Sequence, residues 1–222
     1  MAPSWIRNQV LPPCLLLALG LSLMVWQNSG TQKLTSELSP PRETVGTVIK
    51  SGLAKMQNGD NIGAVQDLTT AIAIEPSAMA YFHRSNAKQK LKDYKGAIDD
   101  LTVVINASGN VPGPYYNRGL AKRRLDDFNG AIEDYTSAIT VNPQFGRGLV
   151  ARGNTYLQLD QLEKAVGDYD QAIQINSRNR GAFVGRGIAK KLQGNLDEAC
   201  ADFRAAADLG SKKAAGWLKS KC

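Results

Sequence analysis

A short motif returns along this chain about every 34 residues. Its first alanine stands at five regularly spaced positions, Ala64, Ala97, Ala131, Ala165 and Ala199. A fixed period of this size is typical of a solenoid, in which each unit is too small to bury its own apolar face and must stack on its neighbours. The period therefore predicts a repeat architecture, and it favours binding of other molecules over chemistry.

Each unit divides into two helical halves, as the third unit, residues 112–143, shows most clearly. In its second half the apolar positions recur at the spacing of one helix face, at Phe128, Ala131, Tyr135 and Ala138. Pro143 ends this second helix, because the residue before a proline disfavours helical backbone. Pro112 stands at the start of the first helix, where a proline is tolerated.

A small residue recurs in every first helix, always at the same distance before the motif alanine. These residues are Gly52, Ser85, Gly119, Gly153 and Gly187. A glycine inside a helix costs roughly 1 kcal/mol relative to alanine, so its recurrence needs a packing reason. We expect the glycine to face the alanine and to let two antiparallel helices approach closely.

This pattern resembles the tetratricopeptide repeat (TPR) family. The third unit carries the family's glycine, alanine, aromatic residue, second alanine and proline as Gly119, Ala131, Tyr135, Ala138 and Pro143. The resemblance implies an all-α fold, a right-handed superhelical solenoid of five helix-turn-helix repeats over residues 45–211. It also implies a capping helix over residues 212–222, and the C-terminal sequence resembles the tails of bacterial members.

The second unit departs from the family pattern. It has Ser85 for the glycine, Val104 for the second alanine, and a longer loop, residues 107–114, in place of the proline. These changes predict irregular stacking between the second and third units.

Four units also share an arginine and an aspartate at one constant spacing. The pairs are Arg84 and Asp100, Arg118 and Asp134, Arg152 and Asp168, and Arg186 and Asp202. In an antiparallel helix pair these positions come close, so we expect a structural ladder of half-buried ion pairs. An arginine row for phosphate binding is the alternative, which the adjacent acids disfavour.

The segment 1–26 differs from the rest of the chain. It holds one charged side chain, Arg7, and an apolar stretch that runs from Val10 to Trp26. A signal peptide has an apolar region of about 7–15 residues and a spanning helix needs about 17–25, and this stretch lies at the border between the two. It predicts an uncleaved single-pass anchor over residues 1–26, followed by a polar linker over residues 27–44, with the repeats outside the cytoplasm. The alternative is a cleaved signal and a secreted or periplasmic protein.

Two cysteines fall in the soluble part, Cys200 and Cys222. If the chain reverses near Gly210, two antiparallel helices bring these cysteines level. Either they form a disulfide, which implies an oxidising compartment, or they are one buried and one terminal thiol.

Catalytic and metal-binding patterns are missing from the sequence. His83 is the only histidine, and no CxxC, P-loop or GxSxG motif occurs. We therefore expect no enzyme activity, no metal and no cofactor. The net charge is +7, but the chain has no dense basic run, so nucleic acid is not expected as a partner.

The first helices contain almost no acids, and in this family they line the concave groove. The residues expected to face the groove are Phe82, Asn86, Lys90, Tyr116, Asn117, Arg123, Arg124, Arg147, Asn154 and Lys191. A basic groove rich in amides suits acidic or carboxylate-ended peptides. Chaperone-binding members clamp a carboxylate, but Phe82 and Ala151 replace two of the expected bases, so the full clamp is absent. A merely solvated basic face is the alternative.

Together these features predict a membrane-tethered scaffold that holds or assembles partner proteins. The alternatives are a cleaved, soluble adaptor outside the cytoplasm, an assembly factor for a photosynthetic or other membrane complex, and an accessory subunit of an enzyme or transport complex. The family resemblance suggests the assembly factor, and no particular residue singles it out.

Overall fold

The computed structural model of the protein describes residues 42–222. The predicted anchor and all but the last three residues of the predicted linker lie outside the described residues. Among the described residues, no helix combines the length and the apolar character needed to cross a membrane.

The described chain is helical throughout and has no strand. Its eleven helices are α1 Arg42–Gln57, α2 Asn61–Ile74, α3 Ala78–Lys90, α4 Tyr94–Ala107, α5 Pro112–Arg124, α6 Phe128–Val141, α7 Gly146–Gln158, α8 Leu162–Ile175, α9 Arg180–Leu192, α10 Leu196–Asp208 and α11 Lys212–Lys221. The helices α3 to α10 pack as four antiparallel pairs, each pair packs on the next, and α1 meets α2 through the Gly52–Leu68 and Lys55–Asp67 contacts to form a fifth pair. The predicted all-α solenoid of five repeats is confirmed, and α1 begins three residues before residue 45.

A left-handed residue makes the turn inside each repeat. At this place φ is positive for Gly59, Lys92, Asp126, Asp160 and Gly194. Glycine adopts this backbone freely, and aspartate tolerates it better than most residues. The turn therefore suits four of the five residues, whereas Lys92, at φ 64°, holds an unfavourable conformation.

An aspartate caps the second helix in the first three repeats. Asp60, Asp93 and Asp127 each accept a hydrogen bond from the backbone N–H three residues on, at 2.9 Å, 3.0 Å and 2.9 Å. This satisfies one of the donors that a helix leaves unpaired at its start. Asp126 and Asp127 thus have structural roles, in the turn and in the cap.

The two helices of a repeat meet where a glycine faces a large side chain. A methyl group added at Gly119 would lie 2.7 Å from the Tyr135 ring and 3.2 Å from the carbonyl oxygen of Ala131. The glycine therefore makes room mainly for the aromatic ring, whereas the sequence suggested the alanine. Gly153 and Gly187 face Tyr169 and Phe203 in the same way.

The predicted arginine ladder is confirmed, and it also joins neighbouring repeats. Arg118 donates from Nε and Nη2 to the two oxygens of Asp134, at 2.9 Å and 2.7 Å. Its third nitrogen, Nη1, donates to Thr102 of the preceding repeat at 3.0 Å. Each arginine therefore connects three helices. The same contact to the preceding repeat is made by Arg84 to Thr69, Arg152 to Thr136 and Arg186 to Asp170.

The ladder continues across the longer loop between the second and third repeats. The Arg118–Thr102 bond spans that junction and has the same 3.0 Å length as the Arg152–Thr136 bond at the next one. The helices on either side are thus held by the contact that holds the regular repeats.

The ladder ends at both termini of the solenoid. In the first repeat that the structure describes, Ser51 replaces the arginine and donates to Asp67 at 2.6 Å. In the last repeat, Arg204 stands where the earlier repeats carry the threonine or aspartate acceptor. The sequence thus places an arginine only where a preceding repeat supplies its third acceptor.

The last helix, α11, covers the end of the fifth repeat. Ala214 is fully buried, and the Trp217 ring packs edge-on against Phe203 with 4.8 Å between ring centres. A disulfide joins Cys200 of α10 to Cys222, the last residue, with 5.8 Å between the Cα atoms.

Candidate peptide-binding groove

The first helices of neighbouring repeats form the inner layer of the solenoid. Helix α5 contacts α7, and α7 contacts α9, in addition to the contacts that each makes with its own second helix. Side chains that project from these helices away from the second helices share one surface, which we call the groove. The predicted binding residues fall on four of its helices, α3, α5, α7 and α9.

Four of the predicted residues line one cavity of about 210 Å³ between the third and fourth repeats. We call this cavity the Tyr116 pocket. The predicted members are Tyr116, Arg123, Arg147 and Asn154, and the other lining residues are Leu120, Val150, Ala151 and Asn179. The lining thus combines cations and amides with an apolar patch, and it contains no acid.

The polar side chains of the Tyr116 pocket present donors. Asn154 accepts the Tyr169 hydroxyl proton with Oδ1 at 2.8 Å, and Asn179 accepts from the backbone N–H of Ala182 with Oδ1 at 3.1 Å. Their side-chain oxygens are therefore used, and each Nδ2 remains for another partner. Arg123 and Arg147 have no acceptor atoms at all. A pocket of this kind is complementary to an anion.

Two buried polar atoms beside the Tyr116 pocket lack a hydrogen-bond partner among the described residues. They are Nε of Arg123 and the hydroxyl of Tyr135. Tyr135 packs against Tyr116, Leu120 and Ala151, which line the cavity. Burial raises the pKa of Tyr135 to about 12, although the charge of Arg123 and the approach of its guanidinium to the Tyr135 hydroxyl act to lower it. A buried donor without a partner is uncommon in proteins, and a bound acceptor or a water molecule would satisfy it.

Aromatic rings hold Arg147 and Tyr116 in position. The Arg147 guanidinium lies 5.9 Å from the centre of the Tyr116 ring and 5.4 Å from that of Phe145. The Tyr116 and Phe145 rings meet edge to face at 5.5 Å. These contacts place the positive charge of Arg147 without an acidic partner.

A second cavity, of about 220 Å³, lies beside the first and shares two of its residues. It is lined by Gln89, Lys90, Tyr94, Leu120, Arg123 and Arg124. We call it the Gln89 pocket. The buried Nε2 of Gln89 has no hydrogen-bond partner among the described residues. Two more predicted residues, Lys90 and Arg124, therefore belong to a cavity that continues from the Tyr116 pocket through Arg123.

The remaining predicted residues lie elsewhere in the groove. Asn117 donates to the side-chain oxygen of Asn86 at 3.1 Å, so the two amides bond to each other across two repeats. Phe82 packs edge-on against His83, with 5.8 Å between ring centres. Lys191 lines a separate cavity of about 210 Å³ with Trp217 and Phe203 at the C-terminal end.

Charge pairing separates the groove from the rest of the solenoid. The cations that pack between helices form ion pairs, as Arg118 and Lys122 do with Asp134. Within residues 42–222, no ion pair involves Lys90, Arg123, Arg124, Arg147 or Lys191. The groove cations are therefore available to an external acid.

The sequence did not indicate several of the lining residues. Leu120 and Val150 were not distinguishable from core positions of the same helices, and Asn179 precedes α9 rather than lying within it. The signal for Asn179 was its place as a helix-capping residue, since capping fixes the side chain at the mouth of the groove. Among the described residues, no cluster of three or more potential metal ligands occurs.

Comparison with known proteins agrees with this architecture. Two models of the tetratricopeptide repeat match residues 114–145 and 150–216. No curated protein sequence matches the chain.

Solved structures show the same fold at low sequence identity. A crystal structure of MamA is 24% identical over 74% of this chain and 96% of MamA, with a TM-score of 0.68. A thermophilic TPR protein of Thermus thermophilus is 18% identical, over 80% of this chain and 98% of its own, with a TM-score of 0.60. YrrB, a TPR protein with an unusual peptide-binding site, is 17% identical over 86% of this chain and 98% of its own, with a TM-score of 0.66. The recurring motif, the matched repeats and the five stacked helix pairs agree, and the chain belongs to the tetratricopeptide repeat family.

Proposed function

We propose that the chain is a scaffold that binds partner proteins through acidic segments held in its groove. The observation that carries this proposal is the contrast in charge pairing. Arginines and lysines between the helices have carboxylate partners, whereas the groove cations Arg123, Arg124 and Arg147 have none among the described residues. Unpaired cations on one surface attract and orient an acidic partner.

The aromatic and apolar residues of the groove support a peptide as the partner. Tyr116, Leu120 and Val150 offer apolar surface beside the cations. A solvated basic face would not need this combination. YrrB, which has the same fold, has a peptide-binding site, and this fold-level likeness adds support.

A charge-reversal variant tests the scaffold. The full chain, kept in a nonionic detergent, is used to capture partners from the source membrane with and without Arg123→Glu and Arg124→Glu. The variant should lose most of the captured partner, and added salt should weaken wild-type capture, because exposed charges are screened over about 10 Å at 0.1 M salt. Circular dichroism confirms that both proteins remain helical.

A matched control separates the groove from net charge. Lys95→Glu with Arg204→Glu makes the same change of charge at two exposed positions on second helices. This control should capture partners as the wild type does. If both double variants lose capture equally, or if neither does, the groove is not the recognition surface.

We further propose that the repeats lie outside the cytoplasm, tethered by residues 1–26. The apolar stretch from Val10 to Trp26 and the Cys200–Cys222 bond support this placement. Mass spectrometry of the native protein should find segment 1–26 still attached, and alkaline carbonate should leave the protein in the membrane pellet. A mature N-terminus between residues 20 and 31 would instead establish the cleaved form.

A further inference from the structure

We propose that the Tyr116 pocket binds the side-chain carboxylate of a glutamate within a partner's chain. This inference deepens the proposed scaffold function and rests on it. It names the part of the partner that the groove recognises, and the single pocket that receives it.

The lining of the Tyr116 pocket determines the charge of the ligand that fits it. The pocket's polar side chains are Arg123, Arg147, Asn154 and Asn179, and the oxygens of both asparagines are already bonded to Tyr169 and Ala182. Each of these two oxygens thus already accepts one hydrogen bond, and the groups without a partner on the four side chains are mainly N–H donors. A ligand with acceptors alone satisfies them, and a carboxylate is such a ligand. A neutral amide would place its own donors against the two guanidinium groups.

The volume of the Tyr116 pocket limits the size of the ligand. The cavity holds about 210 Å³, which is below the range of roughly 300–1,000 Å³ for pockets that enclose whole small molecules. One side chain fills such a space. The apolar lining of Tyr116, Leu120 and Val150 matches a short aliphatic stem, and the donors match a charged end. Glutamate has both parts in one side chain.

The surroundings of the Tyr116 pocket favour a side chain over a chain terminus as its ligand. The Gln89 pocket adjoins the Tyr116 pocket through Arg123 and Leu120, so the groove continues beyond it on the side of the second repeat. Asn179 extends it toward the fifth repeat on the other side. A bound chain can therefore run through in both directions. The two groove amides nearer the N-terminal end, Asn86 and Asn117, hydrogen-bond to each other, so this pair is not arranged to bind a terminal carboxylate.

The buried Nε of Arg123 gives the pocket a specific reporter. This nitrogen has no partner among the described residues, so its N–H signal should move when a carboxylate binds. The NMR signals of the arginine Nε–H groups separate Arg123 from Arg118 and Arg152, whose Nε atoms already donate to aspartates at 2.9 Å.

The test titrates the full chain in nonionic detergent with three matched peptides. They are acetyl-Leu-Glu-Leu-amide, acetyl-Leu-Gln-Leu-amide, and acetyl-Leu-Gln-Leu with a free terminal carboxylate. The glutamate peptide should shift the Arg123 signal and bind at least about tenfold more tightly than the other two, because a hydrogen bond to a charged group is stronger than a neutral one. Arg123→Gln and Arg147→Gln should each abolish this preference, whereas Lys191→Gln should not.

Three outcomes would overturn the inference. Equal binding of the glutamate and glutamine peptides would show that the pocket does not select a carboxylate. Tighter binding of the peptide with the free terminus would assign the pocket to chain ends. Tighter binding of acetyl-Leu-phosphoserine-Leu-amide than of the glutamate peptide would assign it to phosphorylated partners. If partner capture still depends on Arg123 and Arg124 in any of these cases, the proposed scaffold function holds and only the glutamate assignment is wrong. If capture does not depend on these residues, the scaffold proposal itself is wrong.

Discussion

The Arg152 guanidinium donates two parallel hydrogen bonds to the Asp168 carboxylate, from Nε at 2.9 Å and from Nη2 at 2.7 Å. The Asp168 side chain is 6% exposed and forms no other ion pair with a described residue. Arg152→Met should therefore cost about 3 kcal/mol of the free energy of unfolding, because it leaves a buried charge unpaired. Urea unfolding of the full chain in detergent measures the loss.

The third repeat supplies the matched comparison for this loss. There Asp134 pairs with Arg118 and also with Lys122, at 3.0 Å. Arg118→Met leaves Lys122 in place, so it should cost clearly less than Arg152→Met. Equal losses at the two sites would show that ion pairing does not account for the effect.

The Gly119–Tyr135 contact predicts a size limit. Gly119→Ala would place a methyl group 2.7 Å from the Tyr135 ring, so it should destabilise the protein by about 1–3 kcal/mol despite the better helix propensity of alanine. Tyr135→Leu in the same chain should recover part of the loss, since the second repeat has Ser85 and Leu101 at the two equivalent positions. Unfolding midpoints of the three proteins test this.

At an exposed glycine, replacement by alanine should have the opposite effect on stability. Gly167 lies within α8 and has no atom within 4 Å of the place where a methyl group would go. Gly167→Ala should therefore stabilise the protein by up to about 1 kcal/mol. If Gly167→Ala lowered stability as much as Gly119→Ala does, the cost at Gly119 could not be attributed to close packing against Tyr135.

The left-handed turn predicts a stabilising substitution at Lys92. Its φ of 64° costs a non-glycine residue about 1–2 kcal/mol, which exceeds the extra entropy that glycine loses on folding. Lys92→Gly should stabilise the protein by about 0.5–1 kcal/mol. Lys95→Gly, in the first turn of helix α4, should not stabilise the protein. Thermal unfolding of both variants distinguishes the effect of relieving the left-handed turn from the effect of removing a lysine charge.

The Cys200–Cys222 bond predicts a redox-dependent cap. The bond closes a loop with a sequence separation of 22 residues. Cys222→Ser should cost about 3 kcal/mol, because the unlinked chain gains more freedom when it unfolds. Reductant should lower the wild-type midpoint to that of the variant and leave the variant unchanged. A wild-type protein indifferent to reductant would show that the bond does not form.

His83 predicts how stability changes with pH. Burial lowers its pKa, so the folded protein favours the neutral ring. The stability is therefore fully present above the unfolded pKa of about 6.5 and is lost as pH falls below it. The wild type should lose more stability between pH 7 and pH 5.5 than His83→Gln does. The comparison isolates this ring because His83 is the only histidine, and because Asp168, whose pKa is raised by burial, is present in both proteins and cancels in the difference.

Much of this fold was predictable because each repeat has the same packing requirements, so the same residue types recur at the same spacing in the sequence. The nearly constant period of the motif and the paired Arg118 and Asp134 were enough to predict the helix pairs and their ion pairs. The third acceptor, Thr102, was not predictable, since threonine is common on helix surfaces and its partner lies in another repeat. The glycine contact was assigned to Ala131, because spacing reveals which residues recur but not which of two neighbours lies closer.

The candidate site was less predictable than the fold, and for a physical reason. The helix faces indicated Tyr116, Arg123 and Arg147, but a pocket depends on how far neighbouring helices separate, which no single repeat encodes. Only the assembled repeats bring Asn179 to the same cavity as Arg123. Only they show that the side-chain oxygen of Asn154 is already used.

The contact of each ladder arginine with the repeat before it gives the solenoid a rule for lengthening. A copy of the fourth repeat inserted after itself would find an acceptor for its arginine in the original Asp170, and would offer its own copy of Asp170 to Arg186. The middle of the chain can therefore lengthen by whole units without a mismatched junction. The outer repeats cannot be used in this way, because Ser51 lacks the guanidinium that would bond to a predecessor, and Arg204 would meet a following arginine of like charge. Repeats can thus be added in the interior of the solenoid, whereas the side chains of the first and last repeats do not allow a further repeat to be joined to either end.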